Sequence, residues 1–127
     1  MIRGIGVDLV SIPRIAEVLA RHGERFARRI LSPPEWSAFV AAERPERLLA
    51  KRFAAKEALA KALGTGLREP MGFQSVSIEH DALGKPALRV HGALQNYIEQ
   101  RGIGAMHLSL SDEREATVAF VLLESQE

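Results

Sequence analysis

Glu57 lies in "RFAAKEALAKALGTG" (residues 52–66), a segment with helical character that ends on glycine. At about 100° of rotation per residue, its carboxylate falls in one sector with Leu49, Ala50, Phe53, Ala54 and Ala60, and Lys61 follows one turn later. Burying an unpartnered carboxylate is costly, so this position demands a partner. An intrahelical pair with Lys61 would supply about 0.3–0.5 kcal/mol if exposed. A divalent metal ion is the other solution, since a hard cation prefers carboxylate oxygens and completes its shell with substrate phosphates.

A metal would benefit from a second carboxylate, and Asp8 is the candidate. In "MIRGIGVDLV" (residues 1–10) strand alternation puts Ile5, Val7 and Leu9 on one face and Gly4, Gly6 and Asp8 on the other. The glycines of that second face let a ligand or another chain segment approach closely. Spacing alone favours the simpler reading of Asp8 as a polar strand-end residue. "GIGVD" is no dinucleotide fingerprint, because the third glycine is missing and Pro13 occupies the helix entrance.

Other polar groups offer phosphate contacts. In "HLSLSD" (residues 107–112) His107, Ser109 and Ser111 share one strand face and Leu108 and Leu110 the other. They are either a solvated surface or donors for phosphate oxygens. The backbone of Gly64-Thr65-Gly66 either stops a helix or meets a phosphate. Gly84-Lys85-Pro86 reads as a turn before a strand, and Trp36 and Tyr97 as packing aromatics.

These side chains must be held by a small set of elements. Ser11 can cap a helix that Pro13 tolerates only in its first turn, and Ile15, Val18, Leu19, His22 and Phe26 recur at helical spacing to about Arg29. "LSPPEWSAFVAA" predicts a short second helix capped near Ser32, and Pro45 to Leu63 a long third one closed by Gly64. "FQSVSIEH" and "DALGKPALRV" predict a strand and a turn-strand, "HGALQNYIEQRG" a short helix, and "AMHLSLSDE" with "ATVAFVLLE" two antiparallel strands. The order β-α-α-α-β-β-α-β-β implies an α+β domain over residues 1–127.

Composition narrows the class. The chain has 127 residues, 46% hydrophobic and 26% charged, with a formal net charge of +1 and no cysteine. Disulfide frameworks and thiolate metal sites are excluded, no apolar run suits a membrane span, and no signal-peptide pattern opens the chain. A cytoplasmic protein is expected. The small net charge hides an uneven distribution. Residues 1–29 carry six arginines against three acids, residues 47–68 carry six cations against Glu57 alone, and 112–127 carry five acids against Arg114. Two basic segments point to an anionic partner.

"GIGVDLVSIPRI", "KRFAAKEALAKALGTG" and "MHLSLSDE", with "RRILSPPEW" and "LGKP" in matching order, closely resemble the holo-acyl-carrier-protein synthases, the short 4′-phosphopantetheinyl transferases of bacteria. The likeness covers essentially the whole chain. Asp112 stands where many members carry histidine. The resemblance implies the 4′-phosphopantetheinyl transferase fold, a small antiparallel or mixed sheet wrapped around a long central helix, assembled as a homotrimer with active sites between subunits. It implies transfer of 4′-phosphopantetheine from coenzyme A to a serine of apo-acyl carrier protein, releasing adenosine 3′,5′-bisphosphate in fatty acid biosynthesis. Mg²⁺ is implied, with Asp8 and Glu57 as its protein ligands and Lys61 as a third catalytic group. The serine proton would pass to Glu57 or to a metal-bound water oriented by Asp8.

Arg52, Lys61 and His107 would meet the coenzyme A phosphates, and Gly64, Thr65, Gly66, Lys85, Pro86 and Ser109 would line the nucleotide cleft from different subunits. Arg14, Arg21, Arg25 and Arg28, with Phe26 as an apolar neighbour, would steer in the acidic carrier protein. Two competing readings are a non-catalytic nucleic-acid-binding domain using the basic segments, and a transferase for carrier domains of polyketide or peptide synthesis. The first leaves Glu57 without a task and lacks an aromatic stacking platform. The expected partners therefore include neither nucleic acid nor a membrane.

Overall fold

A computed structural model describes all residues, Met1–Glu127. Five strands and five helices follow in the order β1 (Ile2–Ser11), α1 (Ile12–His22), α2 (Glu24–Ile30), α3 (Trp36–Ala41), α4 (Pro45–Leu63), β2 (Val76–His80), β3 (Pro86–Val90), α5 (Gly92–Gln100), β4 (Ile103–Asp112) and β5 (Ala116–Ser125). A 3₁₀ turn, Pro33–Glu35, leads into α3. The strands form two separate antiparallel sheets, β1-β5-β4 and β2-β3, so the expected α+β class stands and no mixed sheet forms. No helix is long and apolar enough to cross a membrane.

The helix expected from Ile12 to about Arg29 is in fact two. Ser11 caps α1 by accepting the Arg14 N–H at 3.2 Å, and the helix ends at Gly23, whose φ of 62° lies in the region glycine favours. Helix α2 then starts in a new direction and carries Arg25, Phe26 and Arg28 with it. The third expected helix is α4 with the bounds read from sequence. Gly64 closes it at φ 77°, and the Gly64, Thr65 and Gly66 N–H groups bond to the Lys61 and Ala60 carbonyls.

Helix α4 is the spine of the molecule. It has no solvated face over most of its length, since Leu49, Ala50, Ala54, Ala55, Ala58, Leu59, Ala60 and Ala62 are all buried. One side receives β1 at backbone contact. Methyl groups on Gly4 and Gly6 would overlap the carbonyl oxygens of Ala62 and Ala58, so only glycine permits this approach. The strand is thereby turned opposite to the usual sense. Its glycines and Asp8 face the helix, and Ile5, Val7 and Leu9 are 60%, 52% and 72% exposed.

On the other side, α4 buries a charge that the sequence did not single out. Lys56 is fully enclosed, and its three N–H groups meet the Ile30 carbonyl at 2.7 Å, Glu35 Oε1 at 2.6 Å and the Phe73 carbonyl at 2.8 Å. Glu35 also accepts from Ser32 N and Oγ and from the Ile78 N–H, binding the 3₁₀ turn to β2. Desolvation pushes the Lys56 pKa down, and the charge of Glu35 opposes it. Since β1 rests on α4 with no room for a methyl group, Gly6→Ala should destabilise the fold by roughly 2–4 kcal/mol in urea unfolding, with Gly4→Ala similar.

Candidate active site

Asp8 and Glu57 meet because β1 lies on α4. Asp8 follows Gly6 on the helix-facing side of the strand, paired in register with Ala119 of β5. Its side chain is 15% exposed, and Lys61 Nζ donates to its Oδ1 at 3.0 Å and to the Val7 carbonyl at 3.0 Å. The intrahelical Glu57–Lys61 pair allowed by spacing therefore does not form. The strand offers the ammonium a carboxylate and a carbonyl together, and Glu57 is left without an ion-pair partner.

Glu57 is half-buried, and its pKa is raised first by desolvation and then by the neighbouring charge of Asp8, with Lys61 pulling it back. Two hard carboxylates thus repel one another across a partly dry space, a donor set suited to a small divalent cation. No group of three or more His, Cys, Asp or Glu side chains gathers in the chain, so Asp8 and Glu57 are the two carboxylates it offers such an ion.

Both acids stand in an open groove of about 920 Å³, walled by Leu9, Val10, Ile15, Val18, Phe26 and Phe53 and overlooked by Arg14. Arg14, Val18 and Arg21 share one face of α1 by their spacing. Arg14 and Arg25 are exposed, Arg21 pairs loosely with Glu17 at 3.4 Å, and Arg28 stacks over Trp36 at 3.9 Å while reaching Glu24 at 3.8 Å. The exposed partners leave these guanidinium groups weakly held. A positive rim above an apolar trough ending at two acids can receive an acidic, partly apolar partner and an anionic reactant.

The remaining expected residues do not join this pair within one chain. His107 and Ser109 lie on the opposite face of the sheet, in cross-strand rows with Leu122 and Ile5 and with Phe120 and Val7. His107 Nε2 is 2.6 Å from Glu124 Oε1. The N–H groups of Gly64, Thr65 and Gly66 bond to the last carbonyls of α4, which they cap. Lys85 is exposed in the β2-β3 turn, where its N–H bonds Asp81, and Pro86 opens β3.

Arg52 belongs to a second groove with Arg44, Arg47, Lys51 and His80. It is nearly buried, and its Nε lies 3.2 Å from Glu35 Oε2 but off the hydrogen-bonding direction, so the attraction is Coulombic only. Burial, then the charges of Arg52 and Lys51, hold the His80 pKa down, which marks a positive field. His80 and Arg44 were not among the expected residues. Little in the sequence marks either: Arg44 lies just before the basic stretch and His80 at a strand end. Asp112, the departure from the family pattern, binds Arg47 at 3.3 Å, and Arg47 also holds the carbonyls of Glu113 and Arg114.

The Glu57 shift has a defined consequence. A carboxyl pKa higher folded than unfolded contributes stability below the unfolded value, and that contribution is lost as pH rises through the folded one. Removing the neighbouring charge in Asp8→Asn should lower the Glu57 midpoint towards the ordinary carboxylate range, read by carboxyl ¹³C NMR titration. An unmoved midpoint would mean that the two acids do not interact.

Residues 4–121 match the 4′-phosphopantetheinyl transferase superfamily. The chain is 56% identical over 124 residues to a holo-acyl-carrier-protein synthase of Nitrosomonas eutropha, covering 98% of this chain and 99% of that one. Its fold superposes with a TM-score of 0.95 on the crystal structure of the synthase from Neisseria meningitidis, at 49% identity and with 98% and 100% of the two chains covered. The Bacillus anthracis synthase, solved in complex with coenzyme A (3′,5′-ADP), superposes at 0.84 with 35% identity and 99% coverage of each chain. Helix α4 with its Glu57, the glycine strand with its Asp8 and the full-length likeness agree, and the chain belongs to the holo-acyl-carrier-protein synthases of the 4′-phosphopantetheinyl transferase superfamily.

Proposed function

We propose that this chain transfers the 4′-phosphopantetheine arm of coenzyme A to a serine of apo-acyl carrier protein. The observation that carries the proposal is the meeting of Asp8 and Glu57 at the end of a groove rimmed by arginine. The serine oxygen bonds to the phosphorus that bears the pantetheine arm. The bond from that phosphorus to the adenosine-side phosphate breaks, and adenosine 3′,5′-bisphosphate leaves with the electron pair. Such a transfer asks the protein chiefly for alignment and charge neutralisation.

Asp8 and Glu57 fit Mg²⁺, since their mutual repulsion is relieved by a doubly charged hard ion that needs few protein ligands. Bound there, Mg²⁺ supplies charge neutralisation at the diphosphate oxygens. The serine proton passes to Glu57 or to a water oriented by Asp8, and Lys61 balances negative charge on the phosphates. The basic groove at Arg52, Arg44 and Lys51 suits a further phosphate of coenzyme A. The face of α1 with Arg14 and Arg21, continued by Arg25, Phe26 and Arg28, suits an acidic carrier protein.

A homotrimer completes the site. Ile5, Val7, Leu9 and Phe120 form an exposed apolar patch on the sheet's outer face, beside His107 and Ser109. A second copy seated there buries the patch and can bring those polar groups towards the neighbour's Asp8 and Glu57. A nucleic-acid role has weaker support, because Lys56 is buried and Arg47 is tied to the β4-β5 turn, so two cations of the second basic segment are already engaged within the chain. These properties accord with a cytoplasmic enzyme of fatty acid biosynthesis.

Incubation with coenzyme A, Mg²⁺ and apo-acyl carrier protein should add a phosphopantetheine mass increment to the carrier. Asp8→Ala and Glu57→Ala should each lower kcat/KM on the order of 100-fold or more. Normal Mg²⁺-dependent rates in either variant would refute the metal assignment. Arg14→Glu should raise KM for the carrier about tenfold and leave coenzyme A binding nearly unchanged. Phe120→Asp should yield monomers by light scattering and lose activity together with assembly.

A further inference from the structure

Lys61 occupies the last turn of α4, four residues after Glu57, yet its ammonium crosses to the strand and binds Asp8 Oδ1 and the Val7 carbonyl, each at 3.0 Å. We infer that Lys61 is a resident counter-cation of Asp8 that competes with the divalent ion for that carboxylate, so that binding the metal releases the lysine towards the anionic reactant. The inference rests on the reading of Asp8 and Glu57 as metal ligands.

Mobility favours the lysine as the partner that moves. Asp8 is 15% exposed and stands on a strand locked in register to β5, whereas Lys61 is 53% exposed on a four-carbon stem. A long, half-solvated side chain changes rotamer at small cost, and an exposed ion pair is easily exchanged. The carboxylate stays in place while the ammonium swings.

Charge gives the direction. With both acids ionised, the cluster of Asp8, Glu57 and Lys61 has a net charge of −1, and without the ammonium it is −2. A dication is drawn more strongly to the second arrangement. Metal and ammonium sharing Asp8 would repel each other at short range, and the lysine has solvent and substrate phosphate to move into. Metal binding and the release of Lys61 to phosphate are thereby one event. Lys61 tunes the site through Asp8 before it touches any substrate.

Mn²⁺ serves as the probe, because its binding is read by water-proton relaxation without turnover. The full chain is compared with Lys61→Met, Lys61→Gln, Lys61→Arg and Asp8→Asn, with circular dichroism confirming folding of each. Lys61→Met and Lys61→Gln should bind Mn²⁺ about three- to tenfold more tightly than the parent, although both remove a group from the active site. Lys61→Arg keeps the charge and should stay within about twofold. Asp8→Asn should bind much more weakly. Unchanged or weakened Mn²⁺ binding in both neutral variants overturns the inference, even where Asp8→Asn shows the metal reading to be sound. Parental Mn²⁺ affinity in Asp8→Asn overturns the metal reading and the inference with it.

Discussion

Gly4 and Gly6 let the backbone of β1 lie against the backbone of α4, and the meeting of Asp8 with Glu57 depends on that contact. A strand normally stands off a helix by the thickness of side chains on both. Here one layer is missing over two consecutive inward positions, and the helix opposite contributes Ala58 and Ala62. The next inward position is Asp8. Its carboxylate therefore arrives within Coulombic reach of Glu57 and within hydrogen-bonding distance of Lys61. A methyl group at either glycine would push the strand away and separate the acids before altering any reactive atom.

The opposite side of α4 is fixed by other means. Lys56 and Arg52 both meet Glu35 in a buried cluster of two cations and one acid, which Ser32 extends from Glu35 to Ser77 and His91 by contacts of 3.1, 2.6 and 2.7 Å. Buried ion pairs contribute little net stability, because desolvation cancels much of the attraction. Their value here is directional. Lys56 has three donors and three acceptors on three different segments, so the helix can rotate little without stranding a buried charge. Rotation of α4 is what would displace Glu57, the residue next to Lys56. The cluster also turns Arg52 towards the basic groove, although its Nε gains no hydrogen bond.

Long-range consequences of local residue choice explain what was legible in the sequence. Helix α4 was readable to its last residue, because Pro45 and Gly64 mark its ends by local backbone chemistry. Asp8 and Glu57 were noticeable for the same reason: each carboxylate sits in a pattern of small and apolar neighbours. The break at Gly23 was hidden, since apolar spacing continues through it and a single glycine does not announce its dihedral angle. Lys56 was hidden too. Helical periodicity presumes one dry face, and α4 is enclosed on nearly all sides, so the deeper charge was the neighbour of the one that drew attention. The Glu57–Lys61 alternative failed because i,i+4 spacing describes a helix alone and is blind to a strand offering better acceptors.

The outer face of the sheet follows from the same packing. Once glycine and Asp8 take the inward positions of β1, the period of two forces Ile5, Val7 and Leu9 outward, and the register carries Phe120, His107 and Ser109 to that same side. A β-sheet cannot present both faces to one small molecule. Asp8 and His107 can therefore contact a common ligand only if it reaches round a sheet edge or lies between two copies of the chain. The apolar residues around His107 favour the second arrangement, because burying them against another copy supplies the driving force that a polar edge lacks. On this argument the close approach of β1 to α4 does two things at once. It brings the two acids together inside one chain, and it puts His107 and Ser109 on the opposite, partly apolar face of the sheet.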